Sequence, residues 1–198
     1  MNGSLRPNRT RSVLWSKSNR KENLVVRGAR VVEPTQGIDA VLDVRVDCGV
    51  VAQLGADLDT NEHRVLDGRN LVLAPAFVDP HVHLRTPGRE DEETIASGTA
   101  AAAAGGYCAI LAMPNTDPVV DSAAVLGALV EAAKAEAEVP VGFLAAITKG
   151  QDGTELAELC ELADAGAAGF TDDGRPVASR SLMRRALQYS SVTGRKLA

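Results

Sequence analysis

The chain has 198 residues, a formal charge of −5 and an apolar content of 45%, the balance of an ordinary globular protein. Its mild acidity speaks against nucleic acid or anionic membrane surfaces as partners, and no apolar run is long enough to span a bilayer. Its three cysteines, Cys48, Cys108 and Cys160, are far apart and form no CxxC pair, so they read neither as a disulfide framework nor as a thiolate zinc site, and a reducing cytoplasm is the expected location.

Residues 1–23 are basic and rich in Ser and Asn, with Arg6, Arg9, Arg11, Lys17, Arg20 and Lys21 set against a single acid, Glu22. An organelle transit peptide shares this composition, but apolar residues at helical spacing are missing. The expectation is a disordered basic tail or a misplaced start. From 24 to 74 the pattern is one of short strands rich in β-branched residues: 24–26, 29–32, 41–46 and 50–54. Turn signals at Glu33-Pro34, Gln36-Gly37, Cys48-Gly49 and Asp67-Gly68 separate them, which predicts a small antiparallel β unit.

After Pro75 strands and helices alternate. Strands are predicted over 76–83, 107–113, 139–147 and 168–171. Helices are predicted over 93–104, 122–137 with Asp121 or Ser122 as cap, 154–165 and 179–192, and Lys196-Leu197-Ala198 begins a further strand. Repeated βα units with apolar strands indicate an α/β fold with a parallel sheet. Four units and the start of a fifth fit here, whereas a (β/α)8 barrel needs about 250 residues. A complete open sheet of four or five strands is the alternative. A chain that stops on the first residues of a strand leaves its neighbour's edge unpaired, which argues against that alternative. The expected fold class is an incomplete (β/α)8 TIM-type barrel preceded by a small β unit.

Three strand ends carry side chains suited to chemistry. In Asp79-Pro80-His81-Val82-His83-Leu84-Arg85 the two histidines stand two apart on a strand and so face the same way, near the C-terminal end where barrel sites lie. Two imidazoles on one face can ligate one metal at about 2.0–2.1 Å, or can simply be packed or solvated. Arg85 can hold a substrate carboxylate through two parallel hydrogen bonds, or be a surface residue. Met113-Pro114-Asn115-Thr116 ends the next strand, where Asn115 either faces a ligand or opens the turn before Asp117-Pro118. Phe170-Thr171-Asp172-Asp173-Gly174 puts two carboxylates at a strand end, an arrangement that a cation or solvent must offset. The third histidine, His63, sits in a polar loop and reads as a surface residue.

Together these segments resemble type I dihydroorotases of the amidohydrolase superfamily, from about Leu24 to the last residue. The matching pieces are FVDPHVHLRTPG (77–88), AAAAGGY (101–107), MPNTDPVVDS (113–122) and GFTDDG (169–174). The resemblance implies that 24–74 is part of a small β-sandwich and 75–198 the first half of an amidohydrolase barrel. It implies His81, His83 and Asp173 as metal ligands for one or two Zn2+, with Asp173 doing what a carboxylated lysine does in other branches. Arg85 and Asn115 are implied to bind the substrate carboxylate, and Asp172 to be structural. The implied reaction is the reversible cyclisation of N-carbamoyl-L-aspartate to L-dihydroorotate in pyrimidine biosynthesis, by attack of zinc-activated hydroxide on a cyclic amide.

Ala76 and Thr86 depart from the family's usual Gly and Glu, both away from the metal. The family's later histidines and its proton-shuttling Asp are expected beyond Ala198, so none of the catalytic acids or bases falls within this chain, which is expected to be truncated and inactive alone. Within the same chemistry the alternative is an allantoinase or hydantoinase. In another class it is a non-catalytic dihydroorotase-like subunit that supports aspartate transcarbamoylase. Besides the small-molecule substrate, a second copy of the chain or aspartate transcarbamoylase is the expected partner.

Overall fold

A computed structural model describes residues 12–17 and 21–198. Arg6, Arg9, Arg11 and Arg20 of the expected tail lie outside the described residues. The chain divides into two compact units, one of 18–76 and one of 77–198, the latter also taking in the described residues 12–17.

In the first unit β1 (Leu24–Glu33), β2 (Ile38–Asp47) and β3 (Val50–Gly55) pair antiparallel, as the turn signals suggest. Two strands differ from the expectation of a purely antiparallel unit: β4 (Arg64–Asp67) and β5 (Val72–Leu73) pair with β1 in parallel. Residues between β3 and β4 form a crossover that delivers the chain to the free edge of β1 in the same direction, which turn residues alone do not reveal.

The two short strands predicted at 24–26 and 29–32 are one strand with a bulge between Val26 and Ala29. Gly28, at φ 69°, supplies the left-handed residue that the bulge needs. Its N–H donates to the buried Asp43 carboxylate (2.8 Å), which also accepts from Leu58 N (3.1 Å).

His63 is not a free surface residue. Its ring nitrogens lie 2.7 Å from the Asn61 carbonyl and 2.7 Å from an Asp47 carboxylate oxygen, and its side chain is 15% exposed. Two acceptors call for hydrogen on both nitrogens. The Asn61 carbonyl first, and then Asp47, raise the His63 pKa above its usual value.

The second unit is built on β6 (Phe77–Val82), β7 (Tyr107–Ala112), β8 (Val141–Ala145), β9 (Gly169–Phe170) and β10 (Lys196–Leu197), all parallel, in the order β10-β9-β8-β7-β6. The connections are α1 (Ile95–Ala104), α2 (Ala123–Glu136), α3 (Leu159–Ala165) and α4 (Arg180–Thr193). Ile110, Val141 and Phe170 from the strands bury against Ile95, Leu126 and Leu162 from the helices. Each such side chain contributes roughly 1.5–3 kcal/mol by leaving water.

Local sequence sets the helix ends. Thr94 and Ser97 form a reciprocal capping box that starts α1, and the side chains of Ser122 and Ser179 cap α2 and α4. Within α1 the buried Thr99 hydroxyl donates to Ile95 O (2.6 Å) and accepts from Glu138 N (3.0 Å), tying α1 to the segment after α2.

Two expectations fail in this unit. The helix predicted from 154 starts only at Leu159. Asp152 instead accepts from the backbone and hydroxyl of Thr154, and Leu156 bridges to Thr148. These side-chain bonds to local backbone compete with helix formation. Ser12–Lys17, expected within the disordered tail, pack on the sheet. Trp15 and Val141 exchange backbone hydrogen bonds of 2.9 Å each, Lys17 N donates to Ala137 O (3.0 Å), and the Lys134 ammonium sits 4.9 Å from the Trp15 ring centre. A lone tryptophan with a buried surface to cover outweighs the polar composition around it.

Candidate metal centre

Because β6 to β9 run parallel, their C-terminal ends share one edge of the sheet. His81 lies near the end of β6 and His83 one residue past it, and their ring centres are 5.2 Å apart with planes inclined by 73°. Asp173 follows β9, some ninety positions later. Its Oδ1 lies 3.2 Å from Nε2 of His81. One ligand atom from each of His81, His83 and Asp173 falls within 4.8 Å of the others. His81 is the open side of this cluster at 58% exposed, and Asp173, at 16%, is the enclosed side.

The neighbouring carboxylate is used differently. Asp172 is 4% exposed; its Oδ1 accepts from Ile147 N (2.8 Å) and Thr148 N (3.0 Å), and its Oδ2 accepts from the Thr148 hydroxyl (2.5 Å). All three of these bonds come from the segment after β8, so Asp172 holds that segment against the end of β9. Asp173 is turned the other way by a left-handed backbone (φ 52°), with its N–H donating to the Thr171 hydroxyl at 3.0 Å. A non-glycine residue in that region costs of order 1–3 kcal/mol and persists only where its surroundings hold it. Thr171 and Thr148 were not singled out by the sequence. Thr171 could have been, since a hydroxyl two residues before an Asp is a local turn signal. Thr148 becomes visible only once β8 and β9 are neighbours.

Arg85 also has a left-handed backbone (φ 58°). Its Nε lies 3.4 Å from a Glu92 carboxylate oxygen, an ion pair internal to the loop between β6 and α1. Asn115 follows Pro114, whose carbonyl accepts from Thr116 N (2.9 Å) and Val120 N (3.1 Å), so the asparagine stands at the head of a tight turn. Its Oδ1 is 2.9 Å from His83 Nδ1. The two loops are locked together: Asp117 N donates to Pro87 O (3.0 Å), and any Cβ on Gly88 would come within 2.4 Å of Asp117 O.

The fold matches part of solved hydantoinases and dihydropyrimidinases. The chain superimposes on the L-hydantoinase (dihydropyrimidinase) of Arthrobacter aurescens with a TM-score of 0.74 at 23% identity, over 89% of this chain and 40% of that one. The dihydropyrimidinase of Brevibacillus agri matches with a TM-score of 0.69 at 22% identity, over 88% and 39%. The family follows from sequence. The family model for dihydro-orotase-like proteins matches residues 69–195, well over half of the chain, and the chain belongs to that family. It is 48% identical over 173 residues to a dihydroorotase of a Geobacter species, covering 87% of this chain and 41% of that protein. It is 47% identical over 172 residues to a dihydroorotase of Anaeromyxobacter dehalogenans, covering 86% and 40%. The chain thus spans about two fifths of the length of the curated relatives it matches.

Proposed function

We propose that this chain supplies one side of a dihydroorotase active site, built on the first βα units of a (β/α)8 barrel, and that the whole protein interconverts N-carbamoyl-L-aspartate and L-dihydroorotate. The observation that carries the reading is the convergence of His81, His83 and Asp173 from opposite ends of the unit's sequence onto one sheet edge. Two imidazoles and a carboxylate are the nitrogen and oxygen donors that zinc accepts, with bonds of about 2.0–2.2 Å and hence donor atoms roughly 3–4 Å apart. The 3.2 Å between His81 and Asp173 meets that spacing, and the 4.8 Å limit on the set asks for closure of about one ångström. A bound zinc supplies Lewis acidity at the ring amide carbonyl and acidifies a water toward a pKa of about 7.

The chain's own residues then have separate tasks. Asp173, fixed by its backbone and by Thr171, presents a carboxylate on the enclosed side. Arg85 and Asn115, on two interlocked loops beside the histidines, bind the substrate carboxylate. Arg85 exchanges its long contact with Glu92 for a two-pronged pairing with the substrate. The relatives named dihydroorotase support this substrate, whereas the hydantoinases speak only to the fold.

The test uses the full reading frame that carries this sequence, with zinc measured by atomic absorption and dihydroorotate hydrolysis followed spectroscopically. His81→Ala and Asp173→Ala should each lose metal and activity together. Full metal content in both variants would remove these residues from the site.

A further inference from the structure

The contact between Asn115 and His83 joins a proposed substrate binder to a proposed metal ligand, and it constrains chemistry on both sides. A carboxamide oxygen only accepts, so an Oδ1 at 2.9 Å from Nδ1 requires hydrogen on Nδ1. A neutral imidazole carries one such hydrogen, and Nε2 therefore keeps its lone pair, the pair that a metal uses. The opposite tautomer would present an N–H where a lone pair is needed.

The platform under Asn115 is firm. Met113 N donates to Val82 O (2.9 Å), and Pro114 O takes the two N–H groups already described. The amide oxygen thus comes from a hydrogen-bonded turn that follows the neighbouring strand, 32 residues away from the histidine in sequence.

We propose that Asn115 is a positioning residue for the metal: its amide oxygen holds His83 in the Nδ1–H form with Nε2 free, while its NH2 remains to donate to the substrate carboxylate. This rests on the assignment of His83 as a ligand under the proposed function. One side chain then couples metal affinity to substrate binding through its two ends. Removing the partner that orients a ligating histidine typically weakens metal binding 10–100-fold.

Two variants separate the two ends. In the full reading frame that carries this sequence, zinc affinity would be measured by competition with a chelating dye for the parent, Asn115→Ala and Asn115→Asp, and the His83 tautomer by nitrogen-15 NMR of the metal-free protein. Asn115→Ala should weaken zinc about 10–100-fold. Asn115→Asp keeps an acceptor at Nδ1 and should bind zinc at least as tightly as the parent, while in the full reading frame its negative charge against the substrate carboxylate raises KM. The parent should show hydrogen on His83 Nδ1. Unchanged zinc affinity in Asn115→Ala, equal weakening in both variants, or hydrogen on Nε2 in the parent would each overturn the inference and leave the proposed function standing. A parent that binds no zinc would instead sink the proposed function, and this inference with it.

Discussion

Replacing Asp172 by Ala is expected to cost about 3–5 kcal/mol of stability. The carboxylate accepts hydrogen from two buried backbone N–H groups and one hydroxyl, and each buried donor left without a partner costs about 1–3 kcal/mol. Water entering the vacated space restores part of that, which sets the upper end. Against a typical total of about 5–15 kcal/mol the loss is large. Asp172→Asn is the informative companion. Its amide oxygen can keep both backbone bonds at the Oδ1 position, so only the bond to Thr148 is remade, at about 1–2 kcal/mol. Urea unfolding followed by circular dichroism reads both values from the midpoint and slope. Since Asp172 is adjacent to the proposed ligand Asp173, metal affinity should fall in step with stability across the two variants. An Ala variant within about 1 kcal/mol of the parent, at unchanged slope, would refute the view that this carboxylate ties the β8 and β9 ends together.

The His63–Asp47 pair should make the stability of the β unit depend on pH. Asp47 is held below its usual pKa chiefly by its hydrogen bond to His63, so its contribution is present above the unfolded value near 4 and lost on acidification. His63 is raised, so its contribution is complete below about pH 6.5 and lost as pH rises through the higher folded value. The urea midpoint should therefore peak between about pH 4 and 6.5 and fall on either side. His63→Gln should flatten the alkaline limb, and a parent midpoint unchanged from pH 6 to 8 would dismiss the pair. In the full reading frame Arg85→Lys should lower kcat/KM roughly thirtyfold, about 2 kcal/mol, through loss of a charged, two-pronged contact; an unaltered kcat/KM would remove Arg85 from the site.

Periodicity and capping residues carry much of this fold into view. The βα alternation after Pro75 and the Ser122 cap are local signals with local causes. What local signals miss is partnership. Strand direction in β4 and β5 depends on a crossover, the split between 24–26 and 29–32 is a bulge inside one strand, and Trp15 declares its place only against Val141.

At the candidate site the spacing of His81 and His83 shows that they share a face. The distance from His81 to Asp173, the commitment of Asp172 to Thr148, and the amide of Asn115 on His83 all need β6, β7, β8 and β9 to be assembled first. Arg85 illustrates the same limit, since nothing in its immediate sequence indicates that Glu92, seven residues on, faces it.

Gly88 has no functional group, yet it sits where the Arg85 loop meets the Asn115 loop. Its backbone has φ 106°, and the carbonyl of Asp117 fills the space in which a side chain would begin. In a survey of tolerated substitutions it would therefore rank with the proposed ligands His81 and Asp173, although it performs no chemistry. Even alanine there would push the two loops apart and move a guanidinium and an amide together. A loss of activity at this position would report on alignment, and reading it as evidence of contact with substrate would be a mistake.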